Sequence, residues 1–147
     1  MDLKSKIAEE MKAAMKDRKQ SRVAAFRLIR DAIQKAEING NTTLDDDGVI
    51  TVLAGLKKQR EESIEAYEKG GRQDLADHEK EELEILNGLL PKPLTQEEIR
   101  SMVAEAIIAA GASGPSDMGK VMKGLKGKYE GRAGGKDMSE EVKRQLS

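Results

Sequence analysis

Leu3, Ile7, Met11 and Met15 recur every four residues, and apolar side chains return at steps of three and four along most of the chain. That period belongs to the α-helix, with its 3.6 residues per turn, and not to the two-residue alternation of a strand. Abundant Ala, Glu, Lys and Leu favour helix as well, so the fold class reads as all-α. The first helix should bury Leu3, Ile7, Met11 and Met15. Val23, Phe26, Ile29, Ile33 and Ala36 line a second, stopped by a left-handed cap at Asn39-Gly40. Asp45, Asp46 and Asp47 stand just before Val49, Val52 and Leu56, where a helix N-terminus favours carboxylates; they read as caps and first-turn residues of a third helix rather than as a cation site. That helix ends at Gly70-Gly71, and Gly55 inside it is expected to permit close approach of a neighbour. A fourth helix turns Leu75, Leu83, Leu86 and Leu90 inward.

Pro91-Lys92-Pro93 cannot continue a helix and marks the strongest boundary in the sequence. The organisation expected is an N-terminal four-helix bundle over residues 1–90, a proline hinge over 91–94 and a three-helix C-terminal domain over 95–147. Thr95 and Glu98 have capping-box spacing. Ile99, Met102, Val103, Ala106, Ile107 and Ala110 form the buried face of the fifth helix, closed by Gly111. Ser116 is expected to cap a sixth helix carrying Met118, Val121, Met122 and Leu125. A flexible link over Gly131 to Lys136 then leads to Ser139, expected to cap a short last helix with Val142 and Leu146 on its apolar side.

Composition removes several function classes. Phe26, Tyr67 and Tyr129 are the only aromatic residues, too few for a base-stacking platform. The chain has no cysteine, so disulfide scaffolds, thiolate metal sites and thiol nucleophiles are excluded, and a reducing cytoplasmic setting is expected. No run approaches the ~20 apolar residues that cross a bilayer, and the charged N-terminus lacks the apolar core of a secretory signal. His78 is the single histidine. It shares a helix face with Asp74 and Glu82, a pattern that a Glu-rich solvent face produces by itself; no metal, cofactor or catalytic residue is assigned.

The charge is unevenly spread. Ten basic and six acidic residues in 1–40 give +4, eight and seventeen in 41–118 give −9, and eight and four in 119–147 give +4. Lys120, Lys123, Lys126, Lys128, Arg132 and Lys136 follow one another at intervals of two to four residues and form the candidate nucleic-acid-binding set. A solubilising rim around Met118, Val121 and Leu125 accounts for the same residues equally well.

Ordered motifs extend this reading. Lys58-Gln59-Arg60-Glu61-Glu62-Ser63-Ile64-Glu65-Ala66-Tyr67, Gly71-Arg72, Asp74-Leu75-Ala76 and Leu90-Pro91 are followed by Asp117-Met118-Gly119-Lys120-Val121-Met122, Leu125-Lys126, Gly131-Arg132-Ala133, Gly135-Lys136, Ser139 and Val142-Lys143. Together they resemble the GatB/YqeY family along essentially the whole chain, with Gly127 and Gly134 departing from its common Pro and Asp. The likeness is to the stand-alone YqeY-like proteins, whose C-terminal half is similar to the tail domain of the B subunit of the tRNA-dependent amidotransferase. The resemblance implies a helical bundle followed by a three-helix domain. It also implies association with carbon–nitrogen ligase activity that uses glutamine as amido-nitrogen donor, and contact with the tRNA phosphate backbone. Since no catalytic constellation is visible, a non-catalytic tRNA-binding accessory is the first expectation. The alternative is an interaction module that docks an amidotransferase subunit or an aminoacyl-tRNA synthetase.

Overall fold

The computed structural model describes residues 2–129 and 131–147. Among the described residues there are seven α-helices and no strand, so the protein is all-α. The chain divides into two compact units, Met1–Pro91 and Lys92–Ser147.

The first unit holds α1 (Leu3–Lys16), α2 (Gln20–Gly40), α3 (Asp46–Lys69) and α4 (Gln73–Leu89). α1 packs along α2 and α3 along α4, and α2 and α1 both meet α3. Ile7, Phe26, Ile29, Ile33, Val49, Leu53, Leu86, Leu89 and Leu90 form its core. Each such side chain taken out of water contributes about 1.5–3 kcal/mol before conformational entropy is subtracted. The ends of α1 and α3 are stitched together where Asp46 accepts the Leu3 N–H at 3.0 Å. Lys4 pairs with Glu37, whose carboxylate also accepts the Leu44 N–H at 2.8 Å.

Several local expectations change. Met15 is 51% exposed, and Ala14 is buried in its place. A repeat of four outruns the 3.6-residue turn by about 40° per step, so by Met15 the row has drifted off the buried face. α2 continues through Gly40, and the left-handed cap is Asn41 at φ 48°, a conformation that Asn tolerates. Asp45 caps α3 by accepting the Gly48 N–H at 2.9 Å, with Asp46 and Asp47 in the first turn. Gly55 has no close neighbour: a Cβ there would meet nothing within 4 Å.

The second unit holds α5 (Gln96–Ala110), a 3-10 turn (Pro115–Asp117), α6 (Met118–Leu125) and α7 (Gly135–Leu146). α5 packs against both α6 and α7, which also meet each other. Ile99, Val103, Ala106, Val121, Leu125, Met138, Val142 and Leu146 make the core. The capping box is complete, with Glu98 N–H donating to Thr95 Oγ1 and Thr95 N–H to Glu98 Oε1, both at 3.1 Å. Gly111 closes α5 in the left-handed region at φ 63°.

Ser116 and Ser139 do not cap. Ser116 lies inside the 3-10 turn, and the Asp117 carboxylate bridges back to the Ser113 N–H at 3.0 Å. Ser139 lies within α7 and donates its hydroxyl to Lys136 O at 3.0 Å. α7 starts earlier, from an extended Gly134, because this brings Met138 into the core with no exposed surface. The segment before it is held in place: Leu94 N–H donates to Arg132 O at 2.7 Å, and the N–H groups of Arg132 and Ala133 donate to Tyr129 O at 2.9 and 3.0 Å.

Candidate functional site

On α6, Val121 and Leu125 are fully buried while Met118 and Met122 flank them. At about 100° per residue, Lys120 and Lys123 therefore lie close together on the opposite, solvent-facing side. Lys120 is mostly exposed and stands 4.0 Å from Asp117. The Asp117 carboxyl is held below its ordinary value chiefly by the Ser113 N–H, with Lys120 adding to the effect. Lys126 forms the C-cap and donates its N–H to Met122 O at 3.1 Å; Gly127 then takes φ 86°, which brings Lys128 N–H to Leu125 O at 3.0 Å.

Lys128 and Arg132 go elsewhere. Both line a groove against α5 of about 690 Å³, whose wall includes Glu97, Glu98 and Glu105. Arg132 stands 3.8 Å from Glu98 and donates its Nε–H to Lys92 O at 3.5 Å. Lys136 is exposed in the first turn of α7, beside Asp137. The structure thus brings Lys120 and Lys123 together, with Lys126 just beyond them, and seats Lys128 and Arg132 in an acidic groove. Among the described residues Lys123, Lys126, Lys128 and Lys136 take part in no ion pair.

Two clusters escaped sequence reading. Glu141 is 8% exposed and accepts from Arg144 Nη2 at 2.7 Å and Gln145 Nε2 at 2.9 Å. Gln145 Nε2 also reaches Arg100 O at 3.0 Å, and Arg100 Nε stands 4.0 Å from Glu141, which ties α7 to α5. The Glu141 carboxyl is held below its ordinary value chiefly by Arg144. The signal was present in the i, i+3 and i+4 spacing of Glu141, Arg144 and Gln145.

In the first unit, Arg60 of α3 meets Glu79 and Glu82 of α4 at 2.9 and 2.8 Å. Their partly buried setting makes this a pin between the two helices. Asp74 is engaged by Arg72 at 3.2 Å and Glu82 by Arg60, so the Asp74–His78–Glu82 face spends two of its three side chains on guanidinium groups. Among the described residues no three potential ligands converge on a metal position. His78 and Glu82 line a shallow groove of about 620 Å³ with Glu10, Lys19, Arg22 and Glu84, a wall of mixed charge. No helix among the described residues is long and apolar enough to cross a membrane.

Comparison with known proteins gives two distant relatives. One is the Altered inheritance of mitochondria protein 41, mitochondrial, of Lachancea thermotolerans, 29% identical over 79% of this chain. The chain spans 64% of that relative's length. The other is an uncharacterized protein of Schizosaccharomyces pombe, 26% identical over 62% of this chain and 74% of the relative. The Yqey-like protein family matches residues 4–146, a span that includes both cores, the Arg60 pin and the basic residues of the second unit, and the chain belongs to that family.

Proposed function

We propose that the protein is a non-catalytic accessory of tRNA-dependent amidotransferase chemistry whose second unit holds the phosphate backbone of folded tRNA. The observation that carries the reading is the exposed positive charge on that unit, which among the described residues is unpaired at Lys123, Lys126 and Lys136 and only loosely paired with Asp117 at Lys120. Lys120 and Lys123 share the outer face of α6, Lys126 follows at its C-cap, and Lys136 stands on the first turn of α7. Residues 92–147 hold ten basic and eight acidic side chains, a balance of +2 in a chain whose total is −1. The resemblance of this half's sequence motifs to an amidotransferase tail is what suggests the nucleic-acid class. With three aromatic residues in the chain, recognition rests on backbone shape and charge rather than base stacking. The amide-transfer chemistry then belongs to partner subunits, and the setting is the cytosol.

Salt-titrated binding to bulk tRNA tests the reading. Replacing Lys120, Lys123, Lys126 and Lys136 by Glu together should weaken binding to every tRNA. It should also flatten the log–log salt slope by about 3, at roughly 0.7–0.9 for each phosphate no longer neutralised. All four are exposed, so helicity should be unchanged. Wild-type affinity in this variant overturns the proposal.

A further inference from the structure

Three of the exposed large apolar side chains, Met15, Leu28 and Ile38, lie on α1 and α2, and two of them share the outward face of α2. Leu28 is 53% exposed and Ile38 is 70% exposed. Asp31 and Lys35 are exposed between them. At 100° per residue the four fall within an arc of about 80°, with Ala24 near its centre. Their steps of three, four and three residues are those of a coiled-coil seam. Asp31 and Lys35 are also one helical turn apart with the acid nearer the N-terminus, the favourable order for an intrahelical pair. Neither takes part in an ion pair among the described residues.

We propose that this face of α2 is the seam of a homodimer, two copies of the helix lying antiparallel about the level of residue 33. Residues equidistant from that level then face one another. Leu28 meets the partner's Ile38, and Asp31 meets the partner's Lys35. The two-fold axis repeats both contacts, giving two apolar pairs and two ion pairs from one stripe. A second copy is the occupant that fits because one sequence carries both halves of every pair. A phosphate backbone would have no use for Leu28 and Ile38 and would be repelled by Asp31. A lipid surface would have to accommodate that carboxylate in the middle of its contact. One helix pair is smaller than the ~1,600 Å² of a standard interface, so association belongs in the micromolar range or above. The proposal is independent of the basic residues of the second unit.

Sedimentation of the full chain from the low micromolar to the near-millimolar range should show a monomer–dimer equilibrium. Asp31→Lys should abolish it by setting the introduced ammonium group against the partner's Lys35, and Lys35→Asp should abolish it by setting two carboxylates together. An equimolar mixture of the two variants should dimerise again, because every crossing pair is then of opposite sign. The chain has no cysteine, which permits a direct readout of register. Leu28→Cys mixed with Ile38→Cys should form a disulfide-linked dimer under mild oxidation. Leu28→Cys alone should not, since its two thiols would lie about 15 Å apart along the axis. A wild-type chain that stays monomeric throughout overturns the proposal. So does a mixture that associates no better than either variant, or Leu28- and Ile38-dependent binding to phosphatidylserine vesicles without dimerisation.

Discussion

Glu141 shows what one residue contributes when several donors converge on it. Folding brings Arg144, Gln145 and Arg100 to its carboxylate, which lowers its proton affinity relative to the unfolded chain. A group whose value is lowered by folding contributes stability that is complete above the ordinary carboxylate range and is lost as pH falls through the depressed value. Acid titration followed by circular dichroism should therefore show the second unit weakening as pH drops below about 4.5. Glu141→Gln should lower stability at neutral pH and flatten that acid limb. Met138, fully buried in the same unit, tests packing instead: Met138→Ala should cost about 2–5 kcal/mol in denaturant unfolding. The sequence announced Val142 and Leu146 as core, but it gave no warning of Met138, because the expected helix start at Ser139 placed it in a loop. Burial of Glu141 was likewise hidden, since Glu140-Glu141 in a polar helix reads as solvent-facing until α5 supplies Arg100.

At the scale of the element, the buried helix faces were more legible than the helix ends, which divided between local and tertiary control. Thr95, Asp45 and Gly111 act where their local chemistry dictates, because a cap depends on only a few neighbouring residues. Thr95→Ala should destabilise the second unit by about 1 kcal/mol, measured by chemical denaturation. Ser116 and Ser139 carried equally good cap chemistry and lost to tertiary packing, since starting α7 at Gly135 buries Met138 and starting α6 at Met118 leaves Asp117 free to hold Ser113. A glycine inside a helical pattern predicts close contact with a neighbouring helix, yet Gly55 faces open space. It is therefore only a weak point in α3, and Gly55→Ala should stabilise the protein by about 0.5–1 kcal/mol.

Across the whole molecule, the all-α class followed from the apolar period alone, because that period is a property of every local window. The candidate site was less legible. Six cations spaced along the sequence are distributed by a helix, a left-handed turn and a second helix start, and two of them line an acidic groove. No local pattern encodes that distribution. The two units have separate cores, and scanning calorimetry should resolve two transitions. Phe26→Ala should lower the first unit's transition by several degrees and leave the other in place, whereas Val142→Ala should do the reverse. A single transition shifted by both substitutions would show that the cores melt together.

The clasp between Leu94 and Arg132 bears on how the second unit is excised. The short segment that opens this unit is not a dispensable tether, since Lys92 supplies a carbonyl to the Arg132 guanidinium and Leu94 donates to the Arg132 carbonyl. A fragment cut at Thr95 would begin with a complete capping box and still leave Arg132 without its anchor. One cut at Lys92 retains both stitches, and that brief lead-in decides whether the excised piece is a faithful miniature of the parent.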